Sequence, residues 1–141
     1  MSVRKNDRNQ RSADGKLQVI ECAKNLLSYT HDRVKSNIFP KNERWLVAKS
    51  IWDNCVGAYA CIVRANAIRV ENSVEANERL LLEKQAIGYI DALIGLIDIC
   101  NVNGTISDDR ADFWTKLATD TQNLAKAWLK ANRHEYRKYF E

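Results

Sequence analysis

Lys116, Thr119, Asn123, Lys126, Lys130, Arg133 and Arg137 recur at steps of three and four residues. On a helix that spacing gathers them into one stripe. Its side chains are long, cationic or hydrogen-bonding, and no acid falls on the stripe after Asp112. Such a surface neutralises phosphates. It runs on into HEYRKYF, where Tyr136, Tyr139 and Phe140 add aromatic surface. Cations interleaved with aromatics suit RNA or single strands, held by charge and by stacking. A solvated helix face gives the same pattern and is the plainer alternative.

Catalytic chemistry has weaker candidates. The two histidines are His31 and His134, and neither has a glutamate three residues before it, as a di-iron bundle requires. His31 has no carboxylate or second histidine four residues away. Arg133 and His134 are adjacent, which fits poorly with small helical ribonucleases that set an arginine a few residues before the histidine. No Gly-rich phosphate loop or H-E-x-x-H occurs. Asp91 and Asp98 share a helix face but lie about 10 Å apart along the axis, too far to share a proton. Cys22, Cys55, Cys61 and Cys100 form no C-x-x-C pair and have no histidine nearby, so they read as reduced, buried, small apolar side chains. The expectation is a protein that is not an enzyme and takes no cofactor or metal. A helical nuclease using His31 or His134 as base is the competing class.

The elements that must carry these residues are helices. The 141 residues fit one domain, and 45% apolar content supports a core. One proline and five glycines leave few places to turn, which favours a few long helices over many strands. The net charge of +4 is compatible with an anionic polymer without establishing one. No run of about 18 uncharged apolar residues occurs, so no membrane span is expected. The amino terminus lacks a signal-like apolar core, which points to the cytoplasm.

Residues 1–15 read as a polar, mobile arm carrying Arg4, Lys5, Arg8 and Arg11. Residues 16–133 read as an antiparallel up-down four-helix bundle, and 134–141 as a basic, aromatic tail. The first helix runs from about Lys16 to Ser36. Pro40 ends the connection that follows, and Asn42 caps a second helix, with Trp45, Ala48, Trp52, Cys55, Tyr59 and Ile62 on one face. Val47, Ile51, Ala58, Ala65 and Ile68 widen that face beyond the need of one packing partner. Asn72 or Ser73 caps the third helix, which is apolar nearly all round from Ala86 to Cys100 apart from a stripe of Lys84, Gly88, Asp91, Gly95 and Asp98. Asn103-Gly104 ends it, and Ser107 caps the fourth, whose seam is Trp114, Leu117, Thr121, Leu124 and Trp128. The wide apolar arcs of the second and third helices call for burial against further copies.

The segments FPKNERW, LLLEKQAIGYIDALIGLIDI, NGTIS and AKAWLK together resemble a bacterial four-helix-bundle family. It comprises the accessory variability determinant (Avd) of diversity-generating retroelements and the proteins encoded in large-subunit ribosomal RNA intervening sequences. The likeness covers about Leu26 to Lys130. It implies an all-α protomer assembled into a homo-oligomeric, pentameric barrel with a positive surface. In the retroelement branch it implies binding to the reverse transcriptase, its template RNA and cDNA in support of mutagenic cDNA synthesis. Lys41 and Arg44 in the FPK-x-x-R stretch, and Arg79 at the start of the third helix, join the nucleic-acid-binding candidates on this basis. The sequence departs from the intervening-sequence branch after FPK, reading WLVAKSIWDN, and lacks the glycine pair common before the late tryptophan of Avd-like chains. The alternatives are the intervening-sequence protein and a purely structural helical oligomer.

Overall fold

The computed structural model describes the backbone of residues 3–141; the side chains of residues 3–15 and of Leu17 lie outside the described residues. The side chains of the arm expected over 1–15, Arg4, Lys5, Arg8 and Arg11 among them, therefore fall outside them. Four helices account for most of the chain: α1 (Val3–Lys35), α2 (Lys49–Ala67), α3 (Ser73–Val102) and α4 (Asp108–Glu135). The described residues contain no strand. The helix α1 thus begins well before Lys16.

Short links set the topology, since a few residues between long helices can only return the chain alongside itself. The pairing confirms an antiparallel order. Thr30 of α1 meets Trp114 of α4, and Cys22 meets Thr121. Asp91 of α3 meets Gln122 of α4, and Arg79 meets Asn132. Each helix packs on its two neighbours around a square, α1 on α2 and α4, and α3 on α2 and α4.

Local chemistry fixes most helix ends. Asn72 Oδ1 accepts the Glu75 amide at 2.9 Å, and Glu75 reaches back to the Glu71 amide at 3.0 Å. These bonds satisfy donors that a helix start leaves orphaned. Ser107 Oγ accepts the Arg110 amide at 3.4 Å, with Asp108 and Asp109 in the first turn, where acids oppose the helix dipole favourably. Gly104 turns α3 off with φ of +79°, the left-handed conformation that glycine adopts without penalty.

The start of the second helix departs from expectation. No side chain caps it, and Arg44–Ala48 form a π-helical turn, in which the Ala48 amide bonds to Glu43 O. That turn holds an extra residue relative to an α-helix. It shifts the register, so Trp45 leaves the buried stripe and stands 74% exposed. The buried face of α2 is instead Ala48, Ile51, Cys55, Ala58, Ile62 and Ala65. Residues 134–141, read as a basic and aromatic tail, have local helical structure. The helix α4 continues to Glu135, Arg137–Phe140 form a 3-10 turn, and Tyr136 is buried.

The core has two ends. One gathers Leu26, Phe39, Ile51, Leu93, Ile97 and Ile106 about the fully buried Trp114. The other gathers Val19, Ala23, Ile62, Leu82 and Ala86 beside Trp128. Polar pairs cross the interior with partners in place: Trp114 Nε1 donates to Thr30 Oγ1 at 3.0 Å, and Gln122 Nε2 donates to Ile87 O and Asp91 Oδ1. Gly57 lets α3 come close, because a Cβ there would lie 2.8 Å from the Tyr89 ring.

The outer side of α3 carries a largely apolar line beside the exposed Lys84, Asp91 and Asp98. Leu81, Gln85, Gly88, Ala92, Gly95, Ile99 and Val102 alternate steps of four and three and are all exposed, which makes a straight seam along the helix. A Cβ at Gly88 or Gly95 would meet no atom within 4 Å. Among the described residues α3 is long and apolar enough to cross a membrane by length and composition, with Asp91 and Asp98 interrupting its apolar run.

Candidate nucleic-acid interface

The α4 stripe divides in two. Lys126, Lys130, Arg133 and Arg137 are all exposed along its C-terminal half and into the turn beyond. Among the described residues, Lys126, Lys130 and Arg133 have no carboxylate within salt-bridge reach, while Arg137 Nε lies 3.6 Å from Glu141 Oε1. Lys116 belongs to a different environment. Its Nζ lies 3.0 Å from Asp120 Oδ2, and it lines an open groove of about 410 Å³ with Asp98, Asp112 and Asp120. Three carboxylates around one lysine make that groove unfavourable for a phosphate. The signal was present in the sequence as a Lys–Asp pair four residues apart.

Arg79 is a structural residue rather than a surface cation. It is 8% exposed, and Nε donates to Asn132 Oδ1 at 3.1 Å and to Glu83 Oε1 at 3.4 Å. Nη1 donates to the Ile68 carbonyl at 3.2 Å, which ties α3 to the end of α2. Its guanidinium also lies over the rings of Trp128 and Tyr136, at 5.2 and 5.7 Å from their centroids. A cation desolvated between two aromatic faces is well held, and this one is not presented to a polyanion.

Glu83, its partner, is fully buried, and Oε2 has no hydrogen-bond partner. Burial pushes its carboxyl up to about 7, against the attraction of Arg79 and, more weakly, Arg133. Tyr136 is pushed up as well, by burial and against the pull of Arg79.

The other titratable groups do not converge. His31 is exposed, 3.3 Å from Asp32 Oδ1 and edge-on to Trp52, and His134 is exposed at the far end of the bundle. All four cysteines are free thiols. Burial raises the Cys55 thiol to about 11, with a Thr30 hydrogen bond acting the other way, and raises Cys61 and Cys100 too. Thiols held protonated are poor nucleophiles and poor ligands. Among the described residues no three His, Cys, Asp or Glu side chains cluster as a metal site.

At the opposite end of the bundle from Arg133, the π-helical turn presents Trp45 and Leu46, 74% and 75% exposed. Trp45 lines a groove of about 430 Å³ with Val34, Arg44, Ala48, Lys49 and Trp52. A second groove, of about 380 Å³, adjoins it across Val34 and Trp52 and is lined also by His31 and Lys35. The sequence reading assigned both tryptophans to the core face. Lys41 and Arg44 are both exposed near this groove's end of the chain. Arg44 donates to Phe39 O and Asn37 Oδ1, neutral acceptors that leave its charge uncompensated.

No protein-family model matches the chain, and neither the curated proteins nor the solved structures yield a match.

Proposed function

We propose that this chain is a non-enzymatic accessory protein that assembles with copies of itself and holds RNA for a reverse transcriptase, in the manner of the Avd proteins it resembles. The observation that carries this reading is the pairing of two adjacent surfaces. The outer face of α3 carries a largely apolar line open at Gly88 and Gly95, and the neighbouring helix α4 bears Lys126, Lys130 and Arg133 without acidic partners among the described residues. An apolar seam of that length is stabilised by covering it with a second copy. Assembly then repeats the cationic half of α4 around the oligomer, and many weak phosphate contacts add in one complex. The pentameric number and the polymerase partner come from the resemblance alone.

The test reverses three charges, Lys126→Glu, Lys130→Glu and Arg133→Glu, on exposed positions where the fold should survive. Affinity for template-like RNA is measured across a salt series. Each lost phosphate contact lowers the slope of log K against log salt by roughly 0.7–0.9, so the triple variant should lose about two units or more. An unchanged slope with intact helicity removes this surface from the proposal. Co-purification of a reverse transcriptase with the wild-type chain tests the second partner.

A further inference from the structure

We infer that the paired grooves around Trp45 and Trp52 form a stacking site for unpaired nucleobases, separate from the α4 surface. The inference rests on the reading of the chain as an RNA-binding protein, and it names where the strand, rather than only its charge, is recognised.

The argument begins with an energetic oddity. An indole and a leucine side chain stand about three-quarters exposed at Trp45 and Leu46, whereas the core takes up Trp114 and Trp128 of α4. The cause is the π-helical turn Arg44–Ala48, an arrangement less favourable than a continued α-helix and one that recurs at functional positions. It leaves Trp45 exposed on a groove that Trp52 also lines, with Ala48 and Lys49 between them in the chain. Trp52 is held in place by the edge of His31, with ring centroids 5.7 Å apart. Two indoles on one open groove, Trp52 braced by His31, offer flat faces to a planar ring.

Charge selects the occupant. Lys35 lies beside the second groove and Arg44 lines the first, and neither has a carboxylate within salt-bridge distance among the described residues. Of the acids close by, Asp53 is paired with Lys49 at 2.7 Å, while Asp32 meets His31 and Glu43 accepts from the Thr105 hydroxyl at 3.0 Å, and neither of those two lies within salt-bridge distance of Lys35 or Arg44. Flat aromatic walls with unopposed cations at the rim match a base and the phosphate that follows it. An acidic peptide would use the cations but gain little from the indole faces. A duplex would keep its bases stacked on each other and out of reach.

The experiment compares Trp45→Ala, Trp45→Phe and the wild type as full chains. The probes are a short labelled single-stranded oligoribonucleotide, the corresponding blunt duplex, inorganic polyphosphate and polyglutamate. The expected result is a loss of about tenfold for the single strand in Trp45→Ala, with most affinity kept in Trp45→Phe and no change for the other three probes. Binding of the single strand should quench the exposed indole fluorescence in the wild type. Equal single-strand affinity in Trp45→Ala and wild type overturns the inference, as does an equal loss for polyphosphate or polyglutamate. A change in sedimentation of Trp45→Ala without nucleic acid would place the indole between copies, and also overturns it. If Trp45→Ala binds normally while the α4 charge reversals weaken RNA, the groove is wrong and the accessory reading stands. If the wild type binds no single strand at all, both fall.

Discussion

Replacing Glu83 by glutamine should stabilise the protein at alkaline pH and leave it nearly unchanged in mild acid. The carboxyl is fully buried, with one oxygen unpartnered, and burial raises it from 4.5 to about 7. The folded chain then keeps a proton that the unfolded chain releases, so this group's contribution is fully present below pH 4.5 and is lost as pH rises through 7. A shift from 4.5 to about 7 corresponds to roughly 3 kcal/mol in full, most of which falls between pH 5 and pH 8. Glutamine fills the same volume, can still accept from Arg79 Nε, and does not titrate. The assay is urea denaturation of both proteins at fixed chain concentration across that pH range. The gap between the two curves should widen in favour of Glu83→Gln as pH rises. Parallel curves would refute the reasoning, because they would mean that Arg79 keeps Glu83 ionised throughout and that attraction outweighs desolvation.

The other predictions concern assembly and the interior. Gly88→Leu with Gly95→Leu should leave helicity intact, since both positions are open in a single copy, yet reduce the assembled mass seen by light scattering; an unchanged mass would move the contact off α3. Trp114→Phe removes the donor to Thr30 Oγ1 in a fully buried setting, and should cost about 1–3 kcal/mol in chemical denaturation. Adding Thr30→Val to it should recover part of that loss, and failure to do so would show that ring packing, not the hydrogen bond, dominates.

What could be read in advance follows from how local each cause is. Asn72, Ser107 and Gly104 act on amides and dihedrals within a few residues, so composition at those positions was enough to place both ends of α3 and the start of α4. The α4 seam was legible because one uninterrupted helix keeps its period, and Trp114, Thr121 and Trp128 are all buried. The α2 face was only partly legible. A single extra residue in the π-helical turn is a tertiary outcome, and it moved Trp45 from the expected core into water. Arg79 misled for a related reason: an arginine near a helix start looks solvated until Trp128 and Tyr136, about fifty positions later, close over it. Lys116 was a missed local signal, since Asp120 stands one turn on.

The π-helical turn also means that the orientation of Trp45 is stored in the backbone count rather than in a side-chain torsion. Rotamer hops are local and fast, whereas a one-residue offset is fixed in the backbone and is inherited by everything upstream of it. Excising one residue between Arg44 and Ala48 would rewind that offset, swing the indole toward the protein interior and shut the groove, while the hydrophobic seam of α2 beyond Lys49 kept its phase. The bundle and its outward-facing aromatic are thereby decoupled: the same four helices can carry the indole facing out or tucked away, at the cost of a single codon.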